Sequence, residues 1–413
     1  MNKFIHWLET SFAPRMTKIN NNQWIVTLKD SIMQTLPLIF LGSLFCCLTI
    51  PGDVFKISWW PDFWTPFGWT LGMISLMISF LIPFNLMEKK RFRQQRLIGG
   101  MTGIIVFAII ITPQLTIDKA IGFSHGVFGA GGMFIAILAG IFVAFVMGLF
   151  GKFSFFKEDS VIPDFVRSWF DSMLPIGICV VIMWILVDGL KIDIYNAVLA
   201  VVSPLSGSME TLWGFIVVIF LDCFLYSMGI SGWVLTPITK PIFLAAITAN
   251  AAGTAANLVT SETIYSAYLA VGGMGCTFPL VIMMMLSRSS KLKALGKACI
   301  VPAVFNINEP VVFGAVAWNP VMMFPMWLQA IVLPIIVWIG TKVIAFAPVP
   351  KVVFDLWYTP FPISTWITTQ SVTGIILMLV CVAVSTCIWY PFFKMYEKNE
   401  IDAETLKAAG TKA

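Results

Sequence analysis

The sequence has little charge and almost no histidine for its length. Of 413 residues only 11% are charged and 2 are histidine, whereas 58% are hydrophobic and the mean hydropathy is +0.89. A soluble protein needs far more charge on its surface, so this shortage excludes an ordinary soluble domain. The composition predicts an all-α integral membrane protein that crosses the bilayer many times.

The sequence lacks the residues that several kinds of functional site require. The 8 cysteines are scattered without a Cys-x-x-Cys pair, and 2 histidines cannot assemble a His/Cys metal site. There is no glycine-rich phosphate loop and no Ser/His/Asp set in an aqueous setting, so we expect no cofactor, no metal and no direct use of ATP. The basic residues lie in short loops beside apolar spans, where membrane orientation explains them, so we expect no nucleic-acid partner.

Apolar stretches long enough to cross the hydrocarbon occur about ten times, since one span needs about 20 residues. The predicted spans are 31–50, 66–87, 97–115, 131–150, 173–190, 211–229, 233–253, 266–286, 321–346 and 371–391. Basic loops such as 88–96 and 288–297 then fall on one side of the membrane. Because basic loops stay in the cytoplasm, this alternation predicts that both termini are cytoplasmic.

Two apolar stretches are interrupted by prolines and do not fit as simple spans. One lies near 298–318 and contains Pro302 and Pro310, and the other lies near 350–368 and contains Pro360. Irregular backbone is tolerated at membrane depth only where protein or a water-filled cavity surrounds it, so we predict two re-entrant hairpins that enter from opposite faces. Such paired broken segments are typical of a transporter's binding site.

The distribution of these features predicts a division of labour along the chain. Residues 1–190 contain long spans with few polar groups, which suits a scaffold or dimerisation half. An amphipathic connector at 191–210 leads to a transport half at 211–393, which contains both hairpins. Residues 394–413 are then a cytoplasmic tail.

The segment FNINEPVVFG places the carboxylate of Glu309 inside an apolar stretch. A charge at membrane depth costs about 2.5 kcal/mol or more, so such residues usually face a cavity and have a function. Asn306 and Asn308 add amide donors and acceptors, and Pro310 interrupts the helix. This pattern favours a neutral ligand with many hydroxyls; alternatively, Glu309 only caps a half-helix in the hairpin.

Aromatic and glycine residues at the end of the span 211–229 could also take part in binding. Gly229 and Gly232 allow close backbone approach, and Tyr226 and Trp233 offer aromatic faces to a sugar ring. The alternative is that each ring is ordinary packing or an interfacial anchor.

Other charged residues of the second half allow more than one interpretation. Asp222 and Lys240 lie in or near apolar spans. They form a mutual pair, or the lysine snorkels, or they belong to a translocation path. Glu262 follows the polar loop TAANLVTS, and we expect it to be an external loop residue.

The order and spacing of several blocks carry a family resemblance. These blocks are WIVTLKDSIMQTLPLIFLGSLF at 24–45, MGISG at 228–232, GGMGCT at 272–277, SKLKALGK at 290–297 and FNINEPVVFG at 305–314. Together they resemble the membrane (IIC) component of bacterial sugar phosphotransferase systems, in the lactose, cellobiose and chitobiose group. The resemblance covers essentially the whole chain.

The resemblance implies a permease in the bacterial plasma membrane that is not catalytic alone. Such a permease dimerises through its first half and binds one sugar in the second, here a β-linked disaccharide such as cellobiose or chitobiose. A separate EIIB, supplied by EIIA and through it by HPr and enzyme I, phosphorylates the sugar on the cytoplasmic side.

The same resemblance assigns binding residues. Glu309 matches the sugar-binding glutamate, with Asn306 beside it, and Trp357 in WYTPF matches a stacking tryptophan. Gly273 belongs to the glycine block of the site.

Three positions depart from the family pattern. The histidine that contacts the sugar and is placed to assist phosphoryl transfer is Ser231 here, a tryptophan is Tyr226, and a serine of the glycine block is Met274. Serine cannot hold a proton near neutral pH as imidazole does. The alternative function is therefore a sugar facilitator or sensor that does not phosphorylate.

Overall fold

The chain folds almost entirely into helices. A computed structural model describes residues 10–11, 15, 18, 21–117, 120–156, 163–230 and 232–410. Within these residues the one sheet is an antiparallel pair, β1 Thr116–Ile117 and β2 Ala120–Ile121. The predicted all-α class is confirmed.

The helices differ greatly in length. They are α1 Gln23–Met33, α2 Leu36–Phe55, α3 Trp64–Thr70, α4 Ile74–Lys89, α5 Arg93–Leu115, α6 His125–Phe128, α7 Met133–Phe150, α8 Asp164–Trp184, α9 Ile194–Met209, α10 Leu212–Ser227, α11 Thr236–Ala251, α12 Phe278–Met285, α13 Ser290–Val304, α14 Glu309–Val311, α15 Pro320–Trp338, α16 Ile363–Thr369 and α17 Val372–Gly410. Short 3-10 or π turns occupy Leu71–Met73, Ala130–Gly132, Ile185–Gly189, Gly232–Leu235, Thr263–Ala267, Val312–Val316 and Ile339–Val343.

The chain divides into two compact units. The N-terminal unit contains Lys18–Leu205 and Thr236–Ala245, and the C-terminal unit contains Ser206–Leu235 and Ala246–Ala413. The functional division predicted from the sequence, with its boundaries at 190, 210 and 393, stays a prediction.

Seven helical segments of the described chain are long and apolar enough to cross a membrane. They are Gln23–Gly52, Trp64–Lys89, Gln94–Leu115, Ala130–Phe150, Trp169–Gly189, Pro320–Val343 and Val372–Leu406. The bent pair α9 and α10 makes an eighth if it counts as one span. The multi-pass architecture is therefore confirmed, whereas the count of about ten is not.

Residues 266–286 do not form the single helix that the sequence predicts. A π turn at Thr263–Ala267 is followed by an irregular loop, and within this stretch the backbone becomes helical again only at α12. The loop has positive φ angles of 77° at Gly272, 105° at Gly273 and 83° at Gly275. A right-handed helix cannot contain these angles, which glycine adopts without the penalty that other residues incur.

Small residues bring the helices of the N-terminal unit into close contact. A Cβ atom on Gly103 of α5 would lie 2.0 Å from the carbonyl oxygen of Ser79 on α4. A Cβ atom on Gly140 of α7 would lie 2.8 Å from Cβ of Ile82, which is fully buried. Close approach through small residues is how helices gain packing energy inside a bilayer.

Both proline-interrupted stretches are irregular, as the sequence predicts. In the first, α13 ends at Val304 and α14 begins at Glu309, with a turn between them. In the second, a non-helical segment at 345–362 leads into α16. Their entry into the membrane as re-entrant hairpins stays a prediction.

Candidate functional site

A tight turn separates α13 from α14 and carries the Asn-x-Asn-Glu-Pro motif. The backbone nitrogens of Asn306 and Ile307 donate back to the carbonyls of Ala303 and Pro302, each at 3.0 Å. Asn306 has a φ of 60°, the left-handed conformation that asparagine tolerates better than most residues. These contacts end α13 and form the turn before Glu309.

The carboxamide of Asn306 joins three separate chain segments. Its Nδ2 donates to the carbonyl oxygens of Trp357, at 2.8 Å, and of Thr359, at 2.9 Å. Its Oδ1 accepts a hydrogen bond of 3.0 Å from the backbone nitrogen of Gly272. The side chain is only 6% exposed, so one buried amide fixes the first turn to the glycine block and to the second irregular segment.

Asn308 makes a second buried crosslink, and it is 4% exposed. Its Nδ2 donates to the carbonyl of Met274 at 2.8 Å and to Oγ1 of Thr277 at 3.0 Å. Its Oδ1 accepts a hydrogen bond of 3.2 Å from the hydroxyl of Tyr226. A Cβ atom on Gly273 would lie 2.3 Å from Cγ of Asn308, so this contact needs glycine.

Both asparagines therefore use their amide hydrogens within the protein. A carboxamide nitrogen has two hydrogens, and in Asn306 and Asn308 both are donated to neighbouring segments. What each side chain can still offer to a ligand is a remaining lone pair on Oδ1. Their binding of the sugar stays a prediction, and their contacts make them positioning residues.

The environment of Glu309 is the opposite of that of the two buried asparagines. Glu309 begins α14 and is exposed, and its carboxylate makes no hydrogen bond or ion pair with any other described residue. Its two oxygens are acceptors for a ligand rather than for the protein. The hydrogen-bonded turn before Glu309 and Pro310 after it fix the position of the Glu309 backbone, from which the carboxylate projects.

Two aromatic side chains predicted for the site lie on different elements. Tyr226 on α10 is buried, and its ring meets Phe313 edge to face at a centroid distance of 5.9 Å. Trp357 is half-buried, and its ring meets Tyr358 edge to face at 5.7 Å. The backbone of Trp357 is tied to Asn306, so both aromatic residues are linked to the same turn.

The structure thus connects most of the predicted set by direct contacts. Tyr226 and Gly273 contact Asn308, and the Trp357 carbonyl contacts Asn306, while Glu309 follows in the chain. Ser231 lies outside the described residues.

Glu262 corrects one expectation from the sequence. Rather than a surface loop residue it is 1% exposed, and its Oε1 accepts a hydrogen bond of 3.0 Å from the backbone nitrogen of Phe354. Glu262 thereby holds the second irregular segment three residues before Trp357. No local pattern in the sequence signals this burial, because the partner Phe354 comes from a distant segment.

Comparison with known proteins identifies the family of the chain. The family described as Phosphotransferase system, EIIC, matches residues 29–334. The putative permease IIC component YwbA of Bacillus subtilis is 28% identical over 100% of this chain and 99% of its own length. The cellobiose-specific EIIC component of Geobacillus stearothermophilus is 27% identical over 98% of this chain and 96% of its own length.

A solved structure has the same fold. The transporter ChbC, the IIC component of the N,N'-diacetylchitobiose-specific phosphotransferase system, superposes with a TM-score of 0.86 at 26% identity. The match covers 97% of this chain and 99% of that one. The chain is a multi-pass membrane permease, and it belongs to the EIIC family of the phosphotransferase system. The resemblance drawn from the sequence motifs is confirmed.

Proposed function

We propose that this EIIC permease binds and translocates a β-linked disaccharide such as cellobiose or chitobiose. The observation that carries the proposal is the exposed carboxylate of Glu309 on a turn held by two buried amides. A neutral disaccharide offers hydroxyl donors, and hydrogen bonds to a carboxylate are roughly twice as strong as neutral ones. Relatives named for cellobiose and N,N'-diacetylchitobiose support this sugar class.

The site residues have distinct proposed roles. Glu309 accepts sugar hydroxyls, and Tyr226 and Trp357 cover the apolar faces of the rings. Asn306, Asn308 and Gly273 shape the turn, with an amide oxygen available to the ligand, and Ser231 can exchange a hydrogen bond with a hydroxyl.

We propose that a separate EIIB phosphorylates the sugar. Among the described residues the one histidine is His125, which belongs to the N-terminal unit. Its ring is packed edge to face on Trp69 and Phe123, at centroid distances of 5.5 Å and 4.9 Å. The groups that transfer the phosphoryl group then come from the partner.

The arrangement in the membrane is also a proposal. The basic loops at 88–96 and 288–297 favour cytoplasmic N- and C-termini. The apolar side chains exposed on the N-terminal unit, such as Phe145 and Leu149 of α7, are compatible with a homodimer as well as with lipid.

The test is sugar binding by the purified protein, with Glu309→Gln as the variant. We expect one disaccharide of a mono- and disaccharide panel to bind, and the variant to lose at least about tenfold in affinity, or about 1.4 kcal/mol. Asp402→Asn, the same chemical change at an exposed position of α17, is the matched control and should bind normally. Equal binding by Glu309→Gln would remove Glu309 from the site.

The substitution of Ser231 for histidine favours one second candidate, a facilitator or sensor that does not phosphorylate. Incubating the permease with the sugar and a phosphorylated EIIB separates the two. Sugar phosphate formed only when all three are present supports the phosphotransferase function. Sugar uptake into vesicles without any sugar phosphate supports the facilitator.

A further inference from the structure

Asp222 is a carboxylate that the site described above does not use. It lies on α10 one helical turn before Tyr226, so both side chains project from the same face of that helix. The rest of the helix is strongly apolar, and a charge at membrane depth costs about 2.5 kcal/mol or more, so such residues usually have a function.

The two oxygens of this carboxylate have different surroundings. Oδ2 accepts a hydrogen bond of 2.8 Å from the hydroxyl of Tyr265. Oδ1 points at the backbone of Gly232, where an added Cβ atom would lie 1.8 Å away. Within the described residues of the C-terminal unit Tyr265 is the one hydrogen-bond donor to Asp222, which leaves Oδ1 as an acceptor for another group.

Asp222 and Glu309 each lie close in the chain to one member of the hydrogen-bonded pair Tyr226 and Asn308. Asp222 lies one helical turn before Tyr226, and Glu309 directly follows Asn308, which accepts a hydrogen bond from the Tyr226 hydroxyl. Asp222 approaches from α10 and Glu309 from the turn after α13. The candidate site therefore has carboxylates on two different elements.

We propose that Asp222 is a second sugar ligand, whose Oδ1 accepts one particular hydroxyl while Tyr265 holds Oδ2 in place. The inference rests on the proposed sugar-binding function. Two acceptors on separate elements can contact different hydroxyls of one sugar, whereas Glu309 alone fixes only one edge. A site built to hydrogen-bond a hydroxyl discriminates strongly against an analogue that lacks it, so Asp222 is a specificity-determining residue.

The test combines Asp222→Asn with a series of monodeoxy analogues of the sugar that the wild-type protein binds. We expect one analogue to bind the wild-type protein at least about tenfold more weakly than the parent sugar. Asp222→Asn should lose about tenfold on the parent sugar but bind that one analogue as the wild type does, because the interaction is already missing. Tyr265→Phe should show the same pattern with a smaller loss.

The outcomes are separable. A uniform loss across the parent sugar and all analogues in Asp222→Asn means that the residue only supports the fold, and it overturns the inference. Unchanged binding in Asp222→Asn also overturns it.

If Asp222→Asn does not fold, the same comparison is made with Tyr265→Phe, where a uniform loss or no loss counts against the inference. If the wild-type protein binds no sugar, the proposed function fails and the inference fails with it. Asp402→Asn again serves as the matched control.

Discussion

The two compact units differ most in how regular their backbones are. Five of the seven membrane-capable segments lie in the N-terminal unit, and two lie in the C-terminal unit. All five described glycines with positive φ lie in the C-terminal unit. They are Gly229, Gly253, Gly272, Gly273 and Gly275. The irregular backbone is therefore concentrated in the unit that contains the candidate sugar site.

The difference shows how each unit satisfies polar groups in an apolar setting. In the N-terminal unit Thr102 and Thr112 donate to carbonyls of their own helices, at 2.8 Å and 2.7 Å. In the C-terminal unit buried amides reach across the chain, as when Nδ2 of Asn250 donates to the carbonyl of Pro350 at 2.9 Å. Irregular loops at membrane depth must replace the hydrogen bonds that a helix makes internally. The C-terminal unit consequently depends on a few side chains, and single substitutions should affect it more.

The largest expected contrast is between two glycine-to-alanine substitutions. In Gly273→Ala the new Cβ atom would meet Asn308 at 2.3 Å, and the backbone φ is 105°. Backbone strain and overpacking together should lower the free energy of unfolding by about 3 kcal/mol or more and abolish sugar binding. In Gly177→Ala, on α8 of the N-terminal unit, the new atom meets nothing within 4 Å, so stability should stay equal or rise by up to about 1 kcal/mol. Thermal unfolding in detergent measures both, and similar melting temperatures for the two variants would contradict the contrast.

A second contrast compares two buried asparagines. Asn308→Ala removes hydrogen bonds to the Met274 carbonyl, Thr277 and Tyr226, all buried, at a cost of about 3 kcal/mol. Asn85→Ala in the N-terminal unit should cost about half as much, because only one of its two partners, Ser31, is buried, whereas the freed side chain of Gln34 is exposed and can bind water. Chemical unfolding gives the two free energies, and an equal or larger loss in Asn85→Ala would count against the comparison.

The smallest contrast concerns two carboxylates, one of them buried and the other half-exposed. Oε1 of Glu397 on α17 accepts from Oγ of Ser287 at 2.7 Å and from the backbone nitrogen of Arg288 at 2.9 Å. Glu397→Gln should cost about 1 kcal/mol, since these bonds and the ion pair of Glu397 with Lys394 lose their charge. Asp30→Asn breaks a half-exposed ion pair with Lys89 and should cost about 0.5 kcal/mol or less. Unfolding at low and high salt separates them, because screening should remove the Asp30 effect, whereas the buried hydrogen bonds of Glu397 should keep most of theirs.

Much of this architecture could be predicted from the sequence. Long apolar runs identified the uninterrupted spans of the N-terminal unit, and prolines marked both irregular stretches. The broken segment at 266–286 was missed because its glycines are surrounded by apolar residues, and hydropathy does not register backbone conformation.

The site itself was predicted less completely. The motif pointed to Glu309, Asn306 and Asn308, but the crosslinks from Asn306 to Trp357 and Gly272 connect residues far apart in sequence, and no local pattern encodes them. The burial of Glu262 was missed for the same reason, since its partner Phe354 comes from a distant segment.

The last helix extends well past the membrane. At 1.5 Å per residue the 39 residues of α17 are about 58 Å long, against a hydrocarbon thickness of about 30 Å. Glu397 of this helix accepts hydrogen bonds from Ser287 and Arg288, which lie just before α13. α13 in turn ends two residues before Asn306. A spin label on the exposed Leu406 should therefore report on movement of the turn that carries Glu309, so rearrangement of the candidate site can be followed without placing a probe in it.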